Sequence, residues 1–166
     1  MLKAIVIGSP GAGKSTFARK LRDTVHLPLY YLDMLWHKPD QTTVSIEEFD
    51  ISLQKLLEKD QWIIDGNYLR TLEIRLQACD TVFLLDYPVE DCLQGAKSRI
   101  GIMREDLAWL ETKLDEEFKQ WFLDFPKDQL PQIYELLDKY KSMKNIYIFH
   151  SREAADAFIS SGYSTI

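Results

Sequence analysis

The chain has 166 residues, 46% of them hydrophobic and 28% charged, with a formal net charge of −6. That length suits one domain around one core, and the composition is that of a globular rather than a disordered protein. The acidic balance argues against a broad basic surface for duplex nucleic acid, no apolar run approaches membrane-spanning length, and Cys79 and Cys92 have neither metal-type nor C-x-x-C spacing.

Leu2 to Ile7 is short, apolar and rich in β-branched residues, as a buried parallel strand should be. It leads into Gly8-Ser9-Pro10-Gly11-Ala12-Gly13-Lys14-Ser15-Thr16, which satisfies G-x-x-x-x-G-K-[ST] at every fixed position. Glycines without Cβ let backbone N–H groups turn inward to face oxygen, and Lys14 is placed to reach the β- and γ-phosphates of a nucleotide. The Ser15 hydroxyl is suited to Mg²⁺. A helix follows with Phe17, Ala18 and Leu21 on one face, so the loop opens onto a helix N-terminus, where the dipole favours anions. The glycine spacing does not fit the dinucleotide fingerprint. The nucleotide-binding set is Gly8, Gly11, Ala12, Gly13, Lys14, Ser15 and Thr16.

Leu29 to Leu32 reads as a second strand ending at Asp33, followed by a loop from Met34 to Thr43 that carries Trp36 and His37. Ser45 and Glu48 form a capping box for a helix with Ile46, Phe49, Leu53, Leu56 and Leu57 on one face. Gln61 to Asp65 is the third strand, closed by Gly66, and Leu69 to Ala78 is helical. Thr81 to Leu85 is the fourth strand; a helix opened by Pro88 runs to about Ile100, where Gly101 interrupts it. Apolar residues from Leu107 to Phe125 recur at helical spacing, predicting a long helix over 105–125 that Pro126 stops. A further helix spans roughly Pro131 to Tyr140, Asn145 to Phe149 is the last strand, and Ser151 caps a final helix. Strands alternating with helices predict an α/β fold whose parallel sheet is covered on both faces.

Phosphoryl transfer needs phosphates held, a metal positioned and an acceptor aimed. Two acids, Asp65 and Asp86, each end an apolar strand. Asp65 precedes the sharp turn Gly66-Asn67 and is favoured for Mg²⁺, whereas Asp86 lies at a helix start, where acids are commonly structural. Ligands bind beyond the carboxyl ends of parallel strands, so Asp33 is the candidate base for an acceptor hydroxyl, with Trp36 beside it. Arg70 and Arg75 are candidates for acceptor contacts, Arg99 and Arg104 for a lid over the transferring group, and Arg152 for packing on adenine. The aromatic row Phe118, Trp121, Phe122 and Phe125 is assigned to core packing rather than base stacking.

Gly8 to Ser15, Tyr31-Leu32-Asp33, Trp62 to Tyr68 and Phe83 to Asp86 together resemble the adenylate-kinase-like proteins called topology modulation (FlaR-type) proteins. That resemblance implies a three-layer αβα P-loop NTPase fold, a five-stranded parallel sheet in the order 2-3-1-4-5, and a helical lid over about 97–125. Adenylate kinases carry D-G-F-P-R-T where this chain has Asp65-Gly66-Asn67-Tyr68-Leu69-Arg70-Thr71, a departure at the AMP-binding arginine. Asp33 resembles the acceptor-hydroxyl acid of shikimate- and gluconate-type kinases. The expectation is a cytoplasmic kinase that uses ATP and Mg²⁺ on a small acceptor. The alternatives are a nucleotide-binding regulator of DNA topology, as the family name suggests, and a simple ATPase.

Overall fold

The computed structural model describes residues 1–162. Five parallel strands form one sheet: β1 (Lys3–Gly8), β2 (Leu29–Tyr31), β3 (Trp62–Asp65), β4 (Thr81–Leu85) and β5 (Asn145–Phe149), in the order β2-β3-β1-β4-β5. Because side chains alternate across a strand, β1 feeds two cores. Ile5 and Ile7 pack with Trp62, Ile64, Val82 and Leu84 on one face. Ala4 and Val6 pack with Ile63, Phe83 and Leu85 on the other. All five β1 positions from Ala4 to Gly8 are buried, which is why the strand reads as a continuous apolar run.

Helices close both faces. The first core is covered by α3 (Ile46–Leu57), α4 (Leu72–Ala78) and α7 (Leu130–Tyr140), through Phe49, Leu53, Leu72, Leu76, Ile133 and Leu137. The second is covered by α1 (Lys14–Val25), α5 (Val89–Arg99) and α8 (Arg152–Ser160), through Phe17, Leu21, Ala96 and Ala155. Removing any fully buried Leu or Ile of these sets would forgo roughly 2 kcal/mol of burial before any cavity cost. The Ser45–Glu48 capping box forms with both of its bonds, and Ser151 caps α8 by accepting from the Ala154 N–H.

Three local expectations are corrected. Residues after β2 do not run on as strand and loop: Leu32–Trp36 wind into the short helix α2, and His37 pairs with Thr43 in an antiparallel bridge. Asp33 therefore lies in the first turn of a helix instead of at a strand end. The long helix over 105–125 is replaced by an irregular segment, after which Asp115 caps α6 (Glu116–Asp128) by accepting from the Phe118 N–H. Leu107 is buried, but the segment is shaped by ion pairs of Arg104 and by a Gly101 N–H to Glu111 carbonyl bond of 2.8 Å, which a helix would break. Pro126 sits inside α6 near its end rather than stopping it; the burial of Phe122 and Phe125 holds that turn helical past the missing N–H.

Candidate active site

The glycines of the 8–15 loop adopt conformations closed to other residues. Gly8, Gly11 and Gly13 have φ of 143°, 73° and 86°. At Gly8 a Cβ would lie 2.1 Å from the Leu85 carbonyl oxygen, and at Gly11 2.2 Å from that of Cys92. Asn67 fixes the loop's entry. Its Oδ1 accepts from the Gly8 N–H at 2.9 Å, and its Nδ2 donates to the Gly8 carbonyl at 2.8 Å. In the sequence Asn67 shows only as part of a turn, because an amide clamp across 59 positions has no local signal.

Beyond the carboxyl ends of the strands lies a cleft of about 840 Å³. Its floor is Gly11, Gly13, Lys14, Ser15 and Asp65; Asp33, Trp36, His37, Tyr68 and Leu69 wall the β2–β3 side, and Arg99, Arg104, Asp106, Trp109, Leu110 and Glu111 lie among its other lining residues. On the β4–β5 side of the loop, a second cavity of about 470 Å³ is lined by Gly13, Thr16, Gly95, Ser98, Arg99 and Arg152, among others. The central β1 thus carries the loop between two spaces, and Arg99 borders both.

At the floor, Lys14 Nζ donates to the carbonyls of Gly8 and Ser9 at 3.2 and 3.0 Å. Burial lowers its pKa, partly offset by the Asp65 charge. The Ser15 hydroxyl donates to Asp65 Oδ2 at 2.6 Å, and burial pushes the Asp65 carboxyl up to about 6 against the pull of Lys14 and Ser15. Among the described residues, four buried side-chain N or O atoms lack a hydrogen-bond partner, and three of them, on His37, Asp65 and Arg99, belong to cleft residues. Buried polar groups are normally satisfied, so such a concentration points to a ligand that completes them. The free Asp65 Oδ1 beside a hydroxyl suits a hard cation. Among the described residues no group of three or more His, Cys, Asp or Glu could hold a metal ion.

At the β2–β3 wall, the Tyr68 hydroxyl donates to Asp33 Oδ1 at 2.7 Å. Burial, and then the Asp33 charge, raises the Tyr68 pKa, so the phenol keeps its proton and holds the carboxylate in place. Phe49 stacks on Tyr68 with centroids 5.2 Å apart, and Trp36 meets Phe49 edge-on at 5.7 Å. His37 packs edge-on against Trp109 at 5.0 Å.

The arginines divide. Arg99 lines the cleft with its pKa lowered by burial and then by Arg104. Arg104 also lines it, bonded to Asp106 at 2.9 Å and Glu111 at 2.8 Å. Arg152 donates to the carbonyls of Ala12 and Gly11, both at 3.1 Å, and sits over the Tyr87 ring at 5.5 Å, so it braces the back of the loop. Arg70 and Arg75, expected at the acceptor, do not line the cleft. Arg70 is exposed and bidentate to Asp50, with bonds of 3.1 and 2.6 Å. Arg75 is fully buried and bonds the carbonyls of Gly66, Asn67, Tyr68 and Thr71. It braces the turn that carries Asn67 and Tyr68, and burial brings its pKa down to about 9. Asp86 accepts from the Tyr134 hydroxyl at 2.7 Å and does not line the cleft. Asp106, Trp109 and Glu111 line the cleft without having been singled out, because the helical spacing of Leu107, Leu110 and Leu114 masked a folded-back segment.

No protein-family model matches the sequence, and no curated protein matches it. Among solved structures, the chain is similar to a shikimate kinase from Acinetobacter baumannii in complex with shikimate. The TM-score is 0.63 at 19% identity, over 97% of this chain and 90% of that one. It is also similar to a shikimate kinase from Bacteroides thetaiotaomicron, with a TM-score of 0.57 at 14% identity over 96% and 95% of the two chains. A sugar kinase from Janibacter sp. HTCC2649 gives 0.54 at 16% identity over 97% and 91%. With the glycine loop and the parallel order β2-β3-β1-β4-β5, these likenesses establish the αβα fold of P-loop kinases for this chain.

Proposed function

We propose that the protein is a cytoplasmic phosphotransferase that moves the γ-phosphate of ATP to the hydroxyl of a small molecule. The observation that carries this reading is the cleft floor: Lys14 and a glycine loop beside a Ser15–Asp65 pair whose second carboxylate oxygen has no partner. Lys14 and the loop N–H groups would hold the phosphates, and Ser15 and Asp65 would hold Mg²⁺, directly or through water. When bound, that ion supplies charge neutralisation at the phosphate oxygens. Asp33, held by Tyr68, accepts the proton of the attacking hydroxyl; the acceptor oxygen gains the bond to phosphorus as the β–γ bridging bond breaks and ADP departs. Arg99 and Arg104 face the same cleft and would close over the transferring group as part of a lid spanning about 97–125. Arg152, on the second cavity, would flank adenine.

Gly8 to Ser15 and the Asp65-Gly66-Asn67 turn support placing the chain with the adenylate-kinase-like topology modulation proteins. The two free, buried thiols suit a reducing compartment, and no helix of the described residues is long and apolar enough to cross a membrane. The test is transfer of labelled γ-phosphate from ATP by wild type and by Lys14→Ala. Transfer should fall by on the order of 10²-fold or more in the variant with circular dichroism unchanged. Equal turnover in the two proteins would reject the reading.

A further inference from the structure

The transfer proposed above leaves the charge of the acceptor open. The chain carries an acid suited to a hydroxyl and several arginines suited to a phosphate or carboxylate, and the structure engages most of those arginines elsewhere. Arg75 is sealed under the Gly66–Tyr68 turn. Arg70 is held at the surface by Asp50. Arg104 reaches the cleft already neutralised by Asp106 and Glu111, with its side chain only 12% exposed. Lys113 touches the cleft only from an exposed position. Lys14 and Arg99 remain: Lys14 bonds the loop carbonyls, Arg99 borders the second cavity as well, and the Asp33 charge reaches both, so it already offsets the two cations nearest the acceptor.

The β2–β3 side is different in kind. Its ionic group is Asp33, whose Oδ1 is met by an uncharged phenol. Trp36, His37 and Leu69 line the same wall, and Trp109 meets it by packing edge-on with His37. A phosphate or carboxylate placed there would meet the Asp33 charge, and the guanidinium that charge reaches, Arg99, also borders the phosphate loop and the second cavity. Like charge facing like charge is an effective means of rejection, and flat aromatic walls favour an uncharged, planar or apolar body.

We propose that the acceptor is a hydroxyl compound without phosphate or carboxylate, seated by its flat or apolar body against Trp36 and Trp109 with its hydroxyl at Asp33. This inference rests on the phosphotransferase reading and narrows it. The acceptor oxygen takes the γ-phosphoryl group, its proton goes to the Asp33 carboxylate and then to solvent, and ADP leaves.

The experiment uses the full chain and two measurements. Calorimetry with ATP and Mg²⁺ reports whether the donor binds; no binding would overturn the phosphotransferase reading and this inference with it. Initial rates with labelled ATP are then compared over matched pairs: adenosine and AMP, uridine and UMP, 4-methylbenzyl alcohol and 4-hydroxymethylbenzoate, glucose and gluconate. The expected result is transfer to a neutral member with kcat/KM at least about tenfold above its charged counterpart. Preference for the charged members would overturn the inference and leave the phosphotransferase standing. So would donor binding without transfer to any neutral member.

Discussion

The two walls of the cleft are built on different principles. The loop of residues 8–15 is held by backbone: the Ser9 N–H bonds the Leu85 carbonyl at 2.9 Å, Ala12 bonds Ser9 at 3.1 Å, and Asn67 clamps Gly8 on both of its polar groups. The segment of residues 100–115 is held by charge. Arg104 bridges Asp106 and Glu111, Asp106 reaches Arg19 at 3.4 Å, and Glu105 meets Arg22 at 3.0 Å and the Tyr31 hydroxyl at 3.2 Å. Short-range, desolvated backbone bonds respond little to ionic strength, whereas part-exposed ion pairs weaken with salt. The first wall is therefore the less sensitive to salt and the second the more sensitive.

Breaking the backbone-held wall should have the largest effect. Asn67→Ala leaves the Gly8 N–H buried without a partner, at about 1–3 kcal/mol, and leaves the Gly8 carbonyl with Lys14 Nζ alone, at about 1 kcal/mol more. Urea denaturation should show a loss of about 2–4 kcal/mol. A variant within about 0.5 kcal/mol of wild type would mean that the loop keeps its shape without the clamp.

A smaller effect of opposite sign is expected at Asp65. Its folded pKa, about 6, lies above the ordinary carboxylate value because the charge is buried. Between the unfolded and folded pKa values the native state binds the extra proton, so this group's contribution to stability falls as pH rises through that window, and above it a buried charge is retained at a cost. Asp65→Asn should thus stabilise the ligand-free protein at pH 8 by on the order of 1–2 kcal/mol, with the gain shrinking as pH drops below 6. The same variant should lose Mg²⁺-dependent ATP binding. Thermal melts at pH 5 and pH 8, with and without ATP and Mg²⁺, read both effects. A destabilised Asn variant at pH 8 would make Asp65 a structural acid instead.

The same contrast explains what could be read in advance. Each glycine of the loop answers to a local steric demand, and each strand to a local run of apolar residues, so the loop, the five strands and the acid Asp65 are visible in a linear pattern. Asp33 was legible as a residue of the cleft although its backbone was not, because two residues past β2 it still stands at the sheet's carboxyl edge. The charge-held wall has no such signature. Arg104 is placed by Asp106 and Glu111, and Arg75 by carbonyls that become a cluster only once the Gly66–Tyr68 turn is folded. In sequence both are simply arginines near a break or a turn. Leu107, Leu110 and Leu114 carried a helical period, and that period was outweighed by ion pairs the pattern does not encode.

The smallest effect sharpens the comparison most, because it separates holding the segment from holding its arginine. Glu111 does both: its carboxylate takes Arg104 Nη2 at 2.8 Å, while its backbone carbonyl takes the Gly101 N–H at 2.8 Å. Glu111→Gln removes the charge and keeps the backbone bond. Arg104 retains Asp106, and the Glu111 side chain is 25% exposed, so stability should change by only about 0.5–1 kcal/mol. If Arg104 must leave this carboxylate to meet the transferring phosphoryl group, the energy released from the ion pair appears as tighter ATP binding, by about two- to fivefold. The gain should fade as salt is raised, since salt weakens the same pair in the wild type. Titration calorimetry at low and high ionic strength measures it. Weaker ATP binding in Glu111→Gln would give the carboxylate the opposite role, that of aiming Arg104 at the phosphates rather than holding it back.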